Sequence, residues 1–187
     1  MWPWEHVAFG YLLYSPLLRL LARRGPDGRT AGLLAFGAVF PDLVDKTLSW
    51  GLGVFPTGYA LAHSVFVAVP VGVALLATGR SVRVGGFVAG YWSHLLGDIV
   101  DPVRSGGDIA ISRVFWPVVV GDPYEESLGV GRGVVYLTEF LRELPTTDLT
   151  SPAVLYLLSP LLALAVWLAD GAPGVAACRR LLVAVTE

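Results

Sequence analysis

The chain has one cysteine in 187 residues, Cys178. That excludes an internal disulfide and any cysteine-rich zinc site. Charge is scarce too: Asp, Glu, Lys and Arg make up 15% of the residues, against about 25% in soluble domains. Lys46 is the single lysine, so almost all positive charge is arginine. A net charge of −2 gives no basis for a nucleic-acid partner. There is no Gly-rich loop ending in Gly-Lys-Ser/Thr, no Gly-x-Ser-x-Gly elbow and no His-Glu-x-x-His pair, so those nucleotide-binding and hydrolase motifs do not apply. The start, Met1-Trp2-Pro3-Trp4-Glu5-His6, lacks the basic segment of a secretory signal. The first apolar segment is therefore expected to stay in the mature chain.

What is abundant is apolar surface. Hydrophobic residues make up 55% of the chain, and mean hydropathy is +0.65. Apolar runs extend over about His6–Ala22, Thr30–Asp45, Leu61–Thr78, Val84–Val100 and Ala153–Ala169. Each approaches the roughly 17–25 residues that cross a bilayer as a helix. Pro41 removes a backbone donor near the end of the second run and predicts a kink or break there. Trp2 and Trp4 precede the first run as interface anchors. The stretch 174–187 reads as a further short helix. Residues 102–150 differ in kind, carrying Asp108, Asp122, Glu125, Glu126, Glu139, Glu143 and Asp148. Within them Val134, Leu137, Leu141 and Leu144 recur at helical spacing, and Pro145 ends the pattern, which predicts an amphipathic surface helix. Ile109–Val120 reads as a strand pair or a re-entrant stretch.

The titratable groups are concentrated. All three histidines stand beside polar residues in apolar surroundings, in Glu5-His6, His63-Ser64 and Ser93-His94-Leu95-Leu96-Gly97-Asp98. A fourth cluster is Pro41-Asp42-Leu43-Val44-Asp45-Lys46. Arginines 23, 24, 29, 80, 83, 179 and 180 fall in the turns of one side, which the positive-inside rule assigns to the cytoplasm. The N-terminus is then outside, the C-terminus inside, and all four clusters lie in the outer leaflet. His94, Asp98 and Asp101 are spaced i, i+4, i+7 and share a helix face. Asp42 and Asp45 are spaced i, i+3. Gly32, Gly37, Gly90 and Gly97 allow close helix approach. Each cluster alone has a structural explanation as a cap or an interfacial pair; together, in one leaflet, they point to a shared site.

With these residues quoted, the chain resembles the membrane-bound metal-dependent hydrolases typified by small bacterial and archaeal inner-membrane proteins. The family's motifs appear as His6-Val7-Ala8-Phe9-Gly10, Pro41-Asp42-Leu43-Val44-Asp45, His63-Ser64 and His94-Leu95-Leu96-Gly97-Asp98. Gly106-Gly107 and Trp116-Pro117 match a downstream segment, so the resemblance covers about residues 5–120. Many relatives carry His-Arg-x-x-Thr-His-Ser where this chain has Gly58-Tyr59-Ala60-Leu61-Ala62-His63-Ser64. The absent histidine and arginine imply a smaller ligand set than the family's fullest form.

The expected fold is an all-α polytopic bundle of about five spans, one membrane domain over 1–187 with 102–150 as an extramembrane insertion. His6, Asp42, His63, His94 and Asp98 are the expected ligands of a divalent metal, zinc first, with Asp45 and Asp101 nearby as general bases or supporting groups. A metal-activated water would attack a lipid or lipid-linked ester or phosphoester. The alternative is a non-catalytic membrane protein with a structural or ion-binding His/Asp core.

Overall fold

The computed structural model describes residues 1–78, 81–143 and 154–186. Local chemistry sets several helix boundaries. Asp27 accepts from the Thr30 N–H (2.7 Å) and opens α2; Ser81 accepts from the Val84 N–H (3.3 Å) and opens α4. The Glu5 carboxylate reaches back to the Trp2 N–H (2.7 Å) in the first turn of α1. The resulting helices are α1 Pro3–Ala22, α2 Gly28–Lys46, α3 Val65–Thr78, α4 Val82–Val100, α5 Arg132–Glu143, α6 Leu155–Ala169 and α7 Val175–Thr186. No strand occurs among the described residues, so the all-α expectation stands.

The centre of the molecule is the α2–α4 pair. A Cβ on Gly37 would overlap the Phe87 carbonyl, and one on Gly90 would overlap the Leu34 carbonyl. The two backbones thus touch with no side chain between them. Gly97 serves a different contact, leaving room for the His6 ring of α1, and Gly32 faces nothing within 4 Å. Helix α1 lies across the pair with Tyr11, Tyr14 and Leu18 against Leu34. Helix α3 packs on the other face of α4, where Ala68, Tyr91, Leu95 and Val114 form a second core. Asp170, just past α6, accepts from Tyr11 (2.7 Å), Ser15 (2.5 Å) and Arg19 (2.7 Å), which ties α6 to α1.

Several elements depart from expectation. Helix α2 runs through Pro41 without a break and continues into a wide π-type turn, Thr47–Gly51. One missing hydrogen bond is tolerated because packing against α4 clamps the helix around it. Helix α3 starts at Val65, not Leu61, because residues before it are held by side chains of α2 and α4. Ile109–Val120 is not a strand pair; it contains a single 3₁₀ turn, Ile111–Val114. The amphipathic helix forms as α5, and Leu144 and Pro145 lie outside the described residues, as do Arg80 and Ala153. No helix among the described residues is long and apolar enough to cross a membrane. The helices nevertheless turn large apolar side chains outward, including Leu13 and Leu17 of α1, Phe66 and Val73 of α3, and Leu161 and Leu168 of α6.

Candidate metal centre

The glycine seam brings the end of α2 beside the end of α4, and His63 enters from the loop before α3. Two histidines are fixed by what their Nδ1 atoms touch. His94 Nδ1 lies 2.6 Å from the Ala38 carbonyl oxygen, which can only accept, so Nδ1 carries the proton. His63 Nδ1 lies 2.8 Å from Asp45 Oδ2 and donates to it. In their neutral forms both rings therefore present an unprotonated Nε2 to the interior. These two nitrogens stand 3.1 Å apart.

Two carboxylate oxygens complete the cluster. Asp42 Oδ1 is 3.5 Å from His63 Nε2 and 3.7 Å from His94 Nε2. Asp98 Oδ2 is 3.4 Å and 3.3 Å from the same atoms. Lone-pair atoms crowd together here, and a cation can be shared among them. His6 approaches from α1: its ring stacks on His94 at 3.7 Å, and its Nε2 is 3.3 Å from Asp98 Oδ1. His6 Nδ1 is buried with no hydrogen-bond partner. The donor set, its spacing and its burial fit a divalent metal. Ligand atoms of His6, His94 and Asp98, and of Asp42, His63 and His94, lie within 4.8 Å of one another.

The structure thus brings together the five residues expected as ligands, while Asp45 and Asp101 stand behind them. Asp45 is fully buried and accepts from the Ala60, Ala62 and His63 N–H groups (3.0 Å each) as well as from the His63 ring. Asp101 contacts the Met1 ammonium (3.0 Å) and pairs with Arg104, which also donates to Glu5 (2.7 Å). Burial would raise the Asp101 carboxyl, but the ammonium and guanidinium outweigh it and hold it below the usual value. Burial likewise opposes the charge on Arg104, yet its two carboxylate partners raise its pKa.

A cavity of about 950 Å³ opens on the Asp42 side of the cluster. Sequence reading passed over three of its residues. Lys46 donates to Asp42 Oδ2 (2.6 Å). Arg113 donates to the Asp98 carbonyl (3.1 Å) and lies over the Tyr59 ring, which itself meets His63 edge-on. Lys46 and Tyr59 stood within the quoted motifs without a role assigned to them; Arg113 carried no signal, because a loop contact has no periodicity.

A family model described as the YdjM inner membrane protein matches residues 1–173. The chain belongs to that family. The match places the protein in a membrane, and the buried His/Asp cluster can hold a metal ion. No curated protein and no solved structure matches significantly.

Proposed function

We propose that this YdjM-family protein is a membrane-embedded, metal-dependent hydrolase of a lipid or lipid-linked ester or phosphoester. The observation that carries the reading is the buried cluster of His63, His94, Asp42 and Asp98, of which Asp42 reaches the wall of the large cavity. Imidazole nitrogens and carboxylate oxygens together favour zinc, with His6 as a further ligand. The bound ion supplies Lewis acidity toward water and toward the carbonyl or phosphoryl oxygen of the substrate.

The chain's own residues do the positioning. Asp45 fixes the ring plane and tautomer of His63, and the Ala38 carbonyl does the same for His94. Asp45 has both oxygens occupied by donors, and Asp101 is a weak base while held by two cations. We therefore assign both to positioning rather than proton transfer. Lys46 neutralises the outer oxygen of Asp42 at the cavity wall.

For topology, we propose that the bundle crosses the bilayer with the arginine-bearing turns on the cytoplasmic side and the site near the outer headgroups. The outward apolar faces of α1, α3 and α6 support contact with lipid. Cys178 is exposed and is the single thiol, so a membrane-impermeant maleimide should leave it unlabelled in intact spheroplasts and label it after lysis. Labelling of intact spheroplasts would overturn this orientation.

A buried His/Asp ligand set also suits a structural ion, and the cavity on Asp42 is what favours the hydrolytic reading. Metal analysis of purified protein tests the shared premise. Stoichiometric zinc, lost in the His63→Ala, His94→Ala double variant, is expected; metal retained by that variant would refute the site. Chelation should abolish hydrolysis of membrane lipid esters; a protein that only loses thermal stability on chelation has a structural ion.

A further inference from the structure

The cavity carries information about the substrate beyond the reaction. Its floor beside the ligand cluster holds two cations from different elements. Lys46 ends α2 and lies 5.4 Å from the Trp50 ring, with one of its ammonium donors on Asp42. Arg113 comes from the loop after α4 and lies 5.1 Å from the Tyr59 ring, with one guanidinium nitrogen on the Asp98 carbonyl. Both residues line the cavity, and each is anchored beside a different aspartate of the cluster. Lysine has three donors and arginine five, so neither is exhausted by these contacts. An arginine and a lysine at one floor suit a phosphate better than a neutral ester.

The opposite wall is apolar and aromatic. Trp2 stacks on Trp4 at 5.0 Å, and Phe140 of α5 packs on Trp2 at 4.9 Å. Trp50 meets Tyr136 of α5 edge-on at 6.1 Å. The cavity therefore combines two cations beside the cluster with aromatic surface beneath α5, and Asp42, Asp101 and Glu139 line it as well. Its volume of about 950 Å³ is at the upper end of ordinary ligand pockets. Charge complementarity at one end and apolar surface at the other describe a single kind of occupant.

We propose that Lys46 and Arg113 bind the phosphate of an amphiphilic phosphoester whose acyl chains lie against Trp2, Trp50 and Phe140. This rests on the hydrolase reading above and narrows its substrate class to phospholipid-like phosphoesters. It makes Lys46 and Arg113 specificity-determining residues that select phosphoesters over neutral carboxyl esters.

Binding to chelator-treated full-length protein in neutral-lipid nanodiscs tests it, with tryptophan emission as the readout. Three probes separate the contributions: dihexanoylglycerol 3-phosphate, dihexanoylglycerol and glycerol 3-phosphate. The first should bind at least about tenfold tighter than either of the others, as charge-assisted hydrogen bonds and buried chains each add to affinity. Lys46→Met and Arg113→Met should each erase most of that preference without altering dihexanoylglycerol binding. Arg113→Lys, which keeps the charge should the methionine variant misfold, should retain part of it. Equal binding of the two acylated probes would overturn the phosphate assignment. Equal binding of the two phosphate probes would overturn the acyl assignment, and binding of none would overturn both. Because metal is absent throughout, failure here is distinct from failure of the metal site, which zinc analysis reads separately.

Discussion

At the residue scale, the site depends on how two imidazole rings are held. His63 and His94 point Nε2 inward because their Nδ1 protons are claimed by Asp45 and by the Ala38 carbonyl. Asp45→Asn keeps the volume but offers a weaker acceptor to the ring. It should lower metal affinity about 10- to 100-fold, read by competition with a chromophoric chelator; unchanged affinity would show that Asp45 does not orient His63. The motifs themselves were legible: each histidine had a carboxylate or hydroxyl beside it in sequence. The division of labour was not. Asp42 and Asp45 look equivalent as an i, i+3 pair, yet one faces the ligand cluster and the other is wrapped by N–H groups of residues 60–63. That wrapping comes from a loop conformation no spacing rule describes. Arg113, fifteen residues past Asp98, was invisible for the same reason.

At the element scale, helix existence was readable from apolar runs, but the starts read from hydropathy, His6, Thr30 and Val84, fell two or three residues inside the helices that Trp2, Asp27 and Ser81 precede. The helix-approach glycines were half right. Gly37 and Gly90 sit in the seam, Gly97 makes room for His6, and Gly32 faces open space. Side-chain absence tells that a close approach is allowed, not where it happens. The contrast is measurable in thermal melts of detergent-purified protein. Gly90→Ala forces a methyl against the Leu34 carbonyl and should cost about 1–3 kcal/mol or more. Gly32→Ala meets nothing and should be neutral or stabilise by about 0.5–1 kcal/mol. Similar melting temperatures for the two variants would refute the backbone contact. The Pro41 break failed as an expectation because the rule prices an isolated helix, whereas α2 is braced along its length.

At the scale of the whole molecule, distant segments are joined by polar knots rather than by the apolar cores alone. Asp170 collects Tyr11, Ser15 and Arg19 across the full length of the chain. Burial would raise its carboxyl, but those three donors outweigh burial and hold it below the ordinary carboxylate value. A depressed carboxyl stabilises the fold above its unfolded-state pKa and loses that stabilisation as pH falls through the folded one. Acidification below about pH 4, the ordinary carboxylate range, should therefore loosen α1 from α6. Asp170→Asn should flatten the acid limb of a stability–pH profile; a profile unchanged by the substitution would place the acid sensitivity elsewhere. Nothing in the sequence linked residue 11 to residue 170, since contacts at such separation leave no local pattern.

The glycine seam has one more consequence, which is kinetic. Helices α2 and α4 meet backbone to backbone at Gly37 and Gly90, so no side chain at that contact can rotate and loosen it. The roof is built otherwise, from aromatic rings of α5 resting on Trp2, Trp4 and Trp50. Parting the α5 rings would open the cavity without disturbing the helix pair that carries Asp42 and Asp98.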